Sequence, residues 1–343
     1  IKRLAQGRLS EILGEKLIET DKFFRTLGLE DHAKQAVKAH KNDNKPYRPL
    51  LDAYLVGVND FIKNGYTPIE YSILGVEKSE FTETDIHSIF GYMSFSFAAA
   101  HRTDPILDKM YNKLGEDYLK DWDVHWQEGR EKIPSYPTDN QQDSVLDMSQ
   151  IAHHVQAIME SVPAPPWIGS NSWVLSPKKT KSGQVMLMND THISYAQPSV
   201  WYEAHIETPD FNLYGNYLAG IPFAQVGHTR DIAWGFTMLE NDDIDLYRER
   251  INPENPNQVW ENDHWQTMQI RKETIEVKGG ENVNFEVKST RHGVLVIPDA
   301  NLKLRKDETA EVSKITPQVE VALKRGFLKE VSSTLQKAPS GSD

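Results

Sequence analysis

The stretch PPWIGSNSWVLSP, residues 165–177, decides how the rest of the chain is read. Two prolines and a tryptophan lead through Gly169-Ser170-Asn171 into a run with strand character from Trp173 onward. On these residues alone, two readings of Ser170 stand open. It is a turn serine between a glycine and a strand, or it is a nucleophile, although no G-x-S-x-G frame surrounds it. If the Gly169–Ser170 peptide bond is cut, Ser170 gains a free α-amine with a pKa of about 8, which can act as base for its own hydroxyl. One residue then supplies both nucleophile and base, held by the start of a strand.

Before this stretch the chain reads as helical. In residues 1–17, Leu4, Leu9, Ile12, Leu13 and Leu17 follow helical spacing, which predicts helix. RPLLDAYLVGVNDFIKNG (48–65) places Leu50, Leu51, Tyr54, Leu55, Val58 and Phe61 on one broad face and stops at Asn64-Gly65. Thr82 or Thr84 caps the next helix, and Asp104-Pro105 predicts the start of another. Residues 131–148 turn polar and proline-rich and read as an exposed linker, followed by a short helix in MSQIAHHVQAIMESV.

After it the chain reads as β. WVLS and QVMLMND flank the turn-rich PKKTKSG and form a hairpin. FNLYGNYLAGIPFAQVGHTRDIAWGFTM, DIDLYRERI, HWQTMQIRKETIEVKG and NVNFEVKSTRHGVLVIP continue with strand alternation and turn signals. Strand texture fades after about residue 303. Helices first and consecutive strands second predict an α+β fold. The division is a helical segment over 1–130, a spacer over 131–169 whose start is open between 131 and 150, and a β segment over 170–343.

Composition removes several classes. The 343 residues carry a formal net charge of −12, which argues against non-specific nucleic-acid binding. With no cysteine there is no disulfide, thiol nucleophile or thiolate metal site. No apolar run approaches the ~20 residues that span a bilayer. The nearest, IFGYMSFSFAAA (89–100), is short and reads as a buried helix. The adjacent His153 and His154 do not share a helix face, so they are no metal pair.

GSNSWVLSP, MLMNDTHISYAQPSVWYEAHI, YGNYLAGIPFAQVGHTRDIAWGFTMLENDDIDLY and TRHGVLVIP, in this order, resemble the penicillin acylase family of N-terminal nucleophile hydrolases, which includes acyl-homoserine-lactone acylases. The resemblance is dense from Gly169 to about Pro298 and looser over GRLSEILGEKLIETDKFFRTLGL and LLDAYLVGVNDFI. It implies a four-layer αββα sandwich, and a precursor that cuts itself between Gly169 and Ser170 into a helical α chain and a β chain beginning at the nucleophile. Ser170 is then catalytic. His192 matches a position whose backbone contacts the terminal amine or substrate, and Met238 one whose backbone N–H contributes to the oxyanion hole. His228 matches a motif residue with a structural part in its turn.

A structural Ca²⁺ is implied too, held by Asp242, the Ile244 carbonyl and Asp245, with Asp104 a further ligand candidate. The implied partner is a small-molecule acyl amide, and the implied location periplasmic or secreted. An oxyanion-hole Asn side chain of the family falls beyond residue 343, and the segment after TRHGVLVIP departs from the family pattern, so the chain is expected to be incomplete. The first function is amide hydrolysis of an N-acyl β-lactam, acyl-homoserine lactone or N-acyl amino acid through an acyl-enzyme. The alternative is an unprocessed, non-catalytic fragment that only binds acyl groups. A third reading, a Ca²⁺-dependent structural module, rests on the acidic cluster alone.

Overall fold

The computed structural model describes residues 1–98, 100–115, 117–118, 149–162, 167–193, 195, 199–238, 244–247 and 249–296. Among them helices come first and antiparallel strands second, so the chain is α+β.

The helical sequence at the start folds as separate short pieces. Gly7 and Gly14 take φ of +60° and +81°, and the chain breaks into α1 (Lys2–Ala5), α2 (Ser10–Leu13) and a 3₁₀ turn at Glu15–Leu17. A Cβ on Gly7 would lie 2.6 Å from both Arg25 Cγ and the Asp21 carbonyl oxygen, so only glycine fits this crossing. The Asp21 carboxylate, on α3 (Ile18–Leu27), accepts hydrogen bonds from the Leu9 and Ser10 amides at 2.8 and 2.7 Å and so serves the exposed start of α2.

α4 (Leu29–His40) follows through Gly28. α5 (Tyr47–Asn64) buries Leu51 but leaves Leu50 and Phe61 exposed, so its apolar face is narrower than expected. α6 spans Ile69–Leu74. α7 (Glu83–Phe97) starts at a capping box in which Thr82 accepts from the Asp85 amide and the Asp85 side chain accepts from the Thr82 amide. α8 (Ala100–Leu114) begins earlier than the Asp104-Pro105 signal predicts, with Pro105 inside the helix. Proline costs a helix one backbone bond. Here burial offsets the loss, since Ala100, His101 and Pro105 are all buried. α9 (Ser149–Ser161) packs against α8 and α3.

Strand β1 (Trp167–Leu175) pairs antiparallel with β2 (Met186–Ile193), with a register irregularity between Trp167 and Gly169. β1 therefore starts six residues before the expected Trp173, and the intact peptide runs through Ser170 as strand. β3 (Trp201–Thr208), β4 (Phe211–Leu218), β5 (Val226–His228) and β6 (Ala233–Trp234) form one sheet in that order. DIDLYRERI includes residues 243 and 248, outside the described residues; its last residue opens β7 (Ile251–Asn252), which pairs with β8 (Asn255–Glu261). HWQTMQIRKETIEVKG divides at buried Met268 into β9 (His264–Thr267) and β10 (Gln269–Ile275). β8 and β9 meet at Asn262-Asp263, both at positive φ, as a two-residue hairpin demands. β11 (Val283–Ser289) pairs with β10.

Among the described residues, two of the contacts between helices and strands stand out. Leu51, Ile86 and Ile89 pack with Leu218 and Ile221 at the end of β4, with Tyr54, Phe81 and Trp201 around them. Fully burying each such side chain stabilises by ~1.5–3 kcal/mol. At the other contact, Arg25 donates to Glu273 of β10 at 2.9 Å and to the Gly7 carbonyl at 2.8 Å. Arg271 bridges Asp31 at 3.1 Å, bonds Glu273, and donates to the Arg25 carbonyl at 2.6 Å.

Candidate active site

Ser170 occupies the fourth position of β1, with Thr191 as its cross-strand partner. Its hydroxyl donates to the Gly169 carbonyl oxygen at 2.6 Å. The serine oxygen is thus drawn onto the peptide group it would have to attack. Among the described residues, no titratable side chain bonds this hydroxyl. Among the described residues there is thus no Ser-His pairing at this hydroxyl.

Pleating sorts the neighbours into two faces. Gly169, Asn171, Asp190 and His192 share one face; Ser170, Ser172, Asn189 and Thr191 share the other. His192 Nε2 lies 3.1 Å from Asp190 Oδ2 and 3.4 Å from Asn171 Nδ2. The imidazole thus stays on the face away from the Ser170 hydroxyl. What comes close is the His192 backbone, which is paired with Gly169 on the amino-terminal side of Ser170.

The segment after β6 crosses the serine face. Thr237 Oγ1 donates to the Ser170 carbonyl at 2.9 Å. Asn189 Nδ2 donates to the carbonyls of Asn171 (3.0 Å) and Phe236 (2.9 Å), while its Oδ1 accepts from the Phe236 amide at 3.0 Å. One amide side chain thereby fastens 236 to both β1 and β2. The crossing needs Gly235, since a Cβ there would lie 2.7–2.8 Å from Asn189 side-chain atoms. Met238, half-buried, follows Thr237 directly, so its backbone is one residue from the contact to Ser170.

A shallow groove of about 370 Å³ opens beside this crossing, lined by Leu187 and Asn189 of β2 and by Tyr214, Asn216, His228 and Trp234 of the neighbouring sheet. Tyr214 bonds Glu203 across β3 and β4, and this bond raises its hydroxyl pKa. His228 packs its ring 5.4 Å from Tyr214 and contacts the Thr229 carbonyl, a turn-building position.

Asn189, Gly235 and Thr237 were not singled out from the sequence. An asparagine ending the apolar run VMLM, and a glycine inside AWGFT, are the signals that point to them.

Of the expected calcium ligands Asp242, Ile244 and Asp245, only the last two lie among the described residues. Asp242 lies outside them, Asp245 is exposed, and no three carboxylate or imidazole groups come together there. The ligand set expected for Ca²⁺ therefore falls partly outside the described residues, and no step below runs through a metal. No helix among the described residues is long and apolar enough to cross a membrane.

The penicillin amidase family profile matches residues 1–338. An acyl-homoserine lactone acylase QuiP of Pseudomonas aeruginosa is 28% identical over 307 residues, 86% of this chain and 35% of that protein. Penicillin acylase 2 proenzyme of Pseudomonas sp. is 26% identical over 331 residues, covering 90% and 41% respectively. Penicillin G acylase of Escherichia coli is 31% identical over 130 residues, 38% and 15%. A solved thermostable penicillin G acylase from Alcaligenes faecalis matches 41% of this chain and 24% of its own at 26% identity, with a TM-score of 0.33. The chain thus spans a little over a third of the length of the first two relatives. With the family profile covering nearly every residue, this chain belongs to the penicillin amidase family.

Proposed function

We propose that the chain is part of an amidohydrolase that exposes its own nucleophile. The observation that carries this reading is the Ser170 hydroxyl, 2.6 Å from the Gly169 carbonyl oxygen, with no side-chain base bonded to it among the described residues. In the first step Ser170 Oγ attacks the Gly169 carbonyl carbon. The C–N bond breaks, the nitrogen leaves with the hydroxyl proton as the Ser170 α-amine, and an ester joins Gly169 to Oγ. Water hydrolyses the ester to a Gly169 carboxylate and a free hydroxyl.

Turnover repeats this chemistry on another amide. The new amine takes the Oγ proton, directly or through a water, and Oγ attacks the substrate carbonyl. The Met238 N–H stabilises the oxyanion; such a donor contributes about 2.7–4 kcal/mol in other hydrolases. The leaving amine departs with the proton, and water releases the acyl group. The Asn189 and Thr237 bonds to 236 and to the Ser170 carbonyl support this part for Met238, because they tie its segment to the nucleophile strand. The relatives' names support a small N-acyl substrate, with acyl-homoserine lactones and acylated β-lactams the two classes named. The four-layer αββα sandwich and the pairing of α and β chains from one precursor belong to the same reading.

Ser170→Ala tests it. The variant is expected to remain uncut and to release no primary amine from N-acyl homoserine lactone or penicillin substrates. An uncut Ser170→Ala protein with full activity contradicts the reading.

A further inference from the structure

We infer that α9 stays in the mature protein as the closing helix of the α side, and is not discarded with a spacer. The inference rests on the proposed cut between Gly169 and Ser170. The sequence alone assigns 131–169 to a spacer, and α9 falls within it. Its packing is that of a core helix. Ile151, Ala152, Val155, Ile158, Met159 and Val162 recur at helical spacing and are all under a tenth exposed, Val155 at 1%. His153, Gln156 and Glu160 face outward.

The buried stripe lies against α8 and α3. The exposed edge of the helix adds the His154 ring, set edge-on to Phe23 with centroids 6.3 Å apart. Phe23 belongs to an aromatic cluster with Phe24 and Phe95, and Phe95 stacks on His101 of α8 at 4.8 Å. Removing α9 would strip one wall from the helices that carry this cluster, and an open apolar wall is costly to leave unfilled. A segment made only to be cut away needs no such stripe.

Trypsin mapping of the mature full-length gene product, purified by gel filtration without denaturant, tests this. No Lys or Arg lies between Lys132 and Lys178. A protein cut only at Gly169 therefore yields one peptide from Ile133 to Gly169. Recovery of peptides covering Ile151–Val162 in the protein whose β side begins at Ser170 is the expected result. A mature protein that has a Ser170 terminus but lacks 151–162 overturns the inference and leaves the cleavage reading standing. A chain with no Ser170 terminus overturns both. As a second measurement, Val155→Asp is expected to lower the Tm of the mature protein by roughly 4 °C or more. A mature variant with unchanged Tm means the helix was discarded.

Discussion

The Ser170 hydroxyl has as its polar partner the carbonyl of the preceding residue, Gly169. The residues around it position the strand more than they tune the hydroxyl. Asn189 satisfies three backbone groups on two segments, so Asn189→Ala should cost about 1–3 kcal/mol of stability and slow self-cleavage more than Ser172→Ala does. A time course of the uncut fraction after synthesis reads this directly; equal rates for the two variants would remove the positioning role. Gly235→Ala should act on the same contact from the other side, since its methyl would press on Asn189. His192→Ala should leave cleavage nearly intact, because the imidazole lies on the opposite face with Asp190 and only the backbone approaches Gly169. GSNSW draws attention to Ser170 because family resemblance attaches to a local motif. Asn189 and Thr237 escaped because they act through backbone contacts 47 and 67 residues distant along the chain, and no local spacing encodes those.

Among the elements, those with chemical punctuation were legible and those shaped by distant packing were not. The Thr82 capping box and the β1–β2 hairpin around PKKTKSG follow from local residues. The break at Gly7, the early start of α8 and the burial of α9 follow from what crosses them: Arg25 and Asp21 at Gly7, and α8 against α9. The Asp85 carboxylate caps α7 and also receives Gln6 Nε2 at 2.8 Å and Lys2 Nζ at 3.3 Å. Asp85→Ala should therefore destabilise more than Thr82→Ala, whose cost is about 1 kcal/mol, and urea unfolding of both variants measures the difference. On α8, burial lowers the His101 pKa from 6.5 to about 4. The unfolded chain then binds a proton that the folded chain refuses, so stability falls as pH drops from about 6.5 towards 4. His101→Phe should flatten this part of the Tm–pH profile; an unchanged slope would place its origin elsewhere.

For the whole molecule, helices are held to strands among the described residues by an apolar grip at Leu51, Ile89 and Leu218 and a charged one at Arg25, Arg271 and Glu273, besides the contact of α7 with β1. Cutting the chain before Ser170 touches neither grip. The two products should therefore elute together on gel filtration. Arg25→Lys should loosen them, because the guanidinium reaches Glu273 and the Gly7 carbonyl through different nitrogens, which an ammonium on a different stem does not match. The charged grip is half-buried, with Arg25 and Glu273 side chains 17% and 15% exposed, so added salt should weaken it less than a surface pair. The α+β order of the chain was visible in the change of periodicity after residue 170, whereas the register joining Arg25 to Glu273 across 248 residues was not.

The most direct test of a nucleophile made by self-cleavage is amino-terminal sequencing of the purified full-length gene product. The account predicts a second terminus reading Ser-Asn-Ser-Trp, from Ser170 onward. A protein that hydrolyses N-acyl substrates while the Gly169–Ser170 bond remains intact would contradict it.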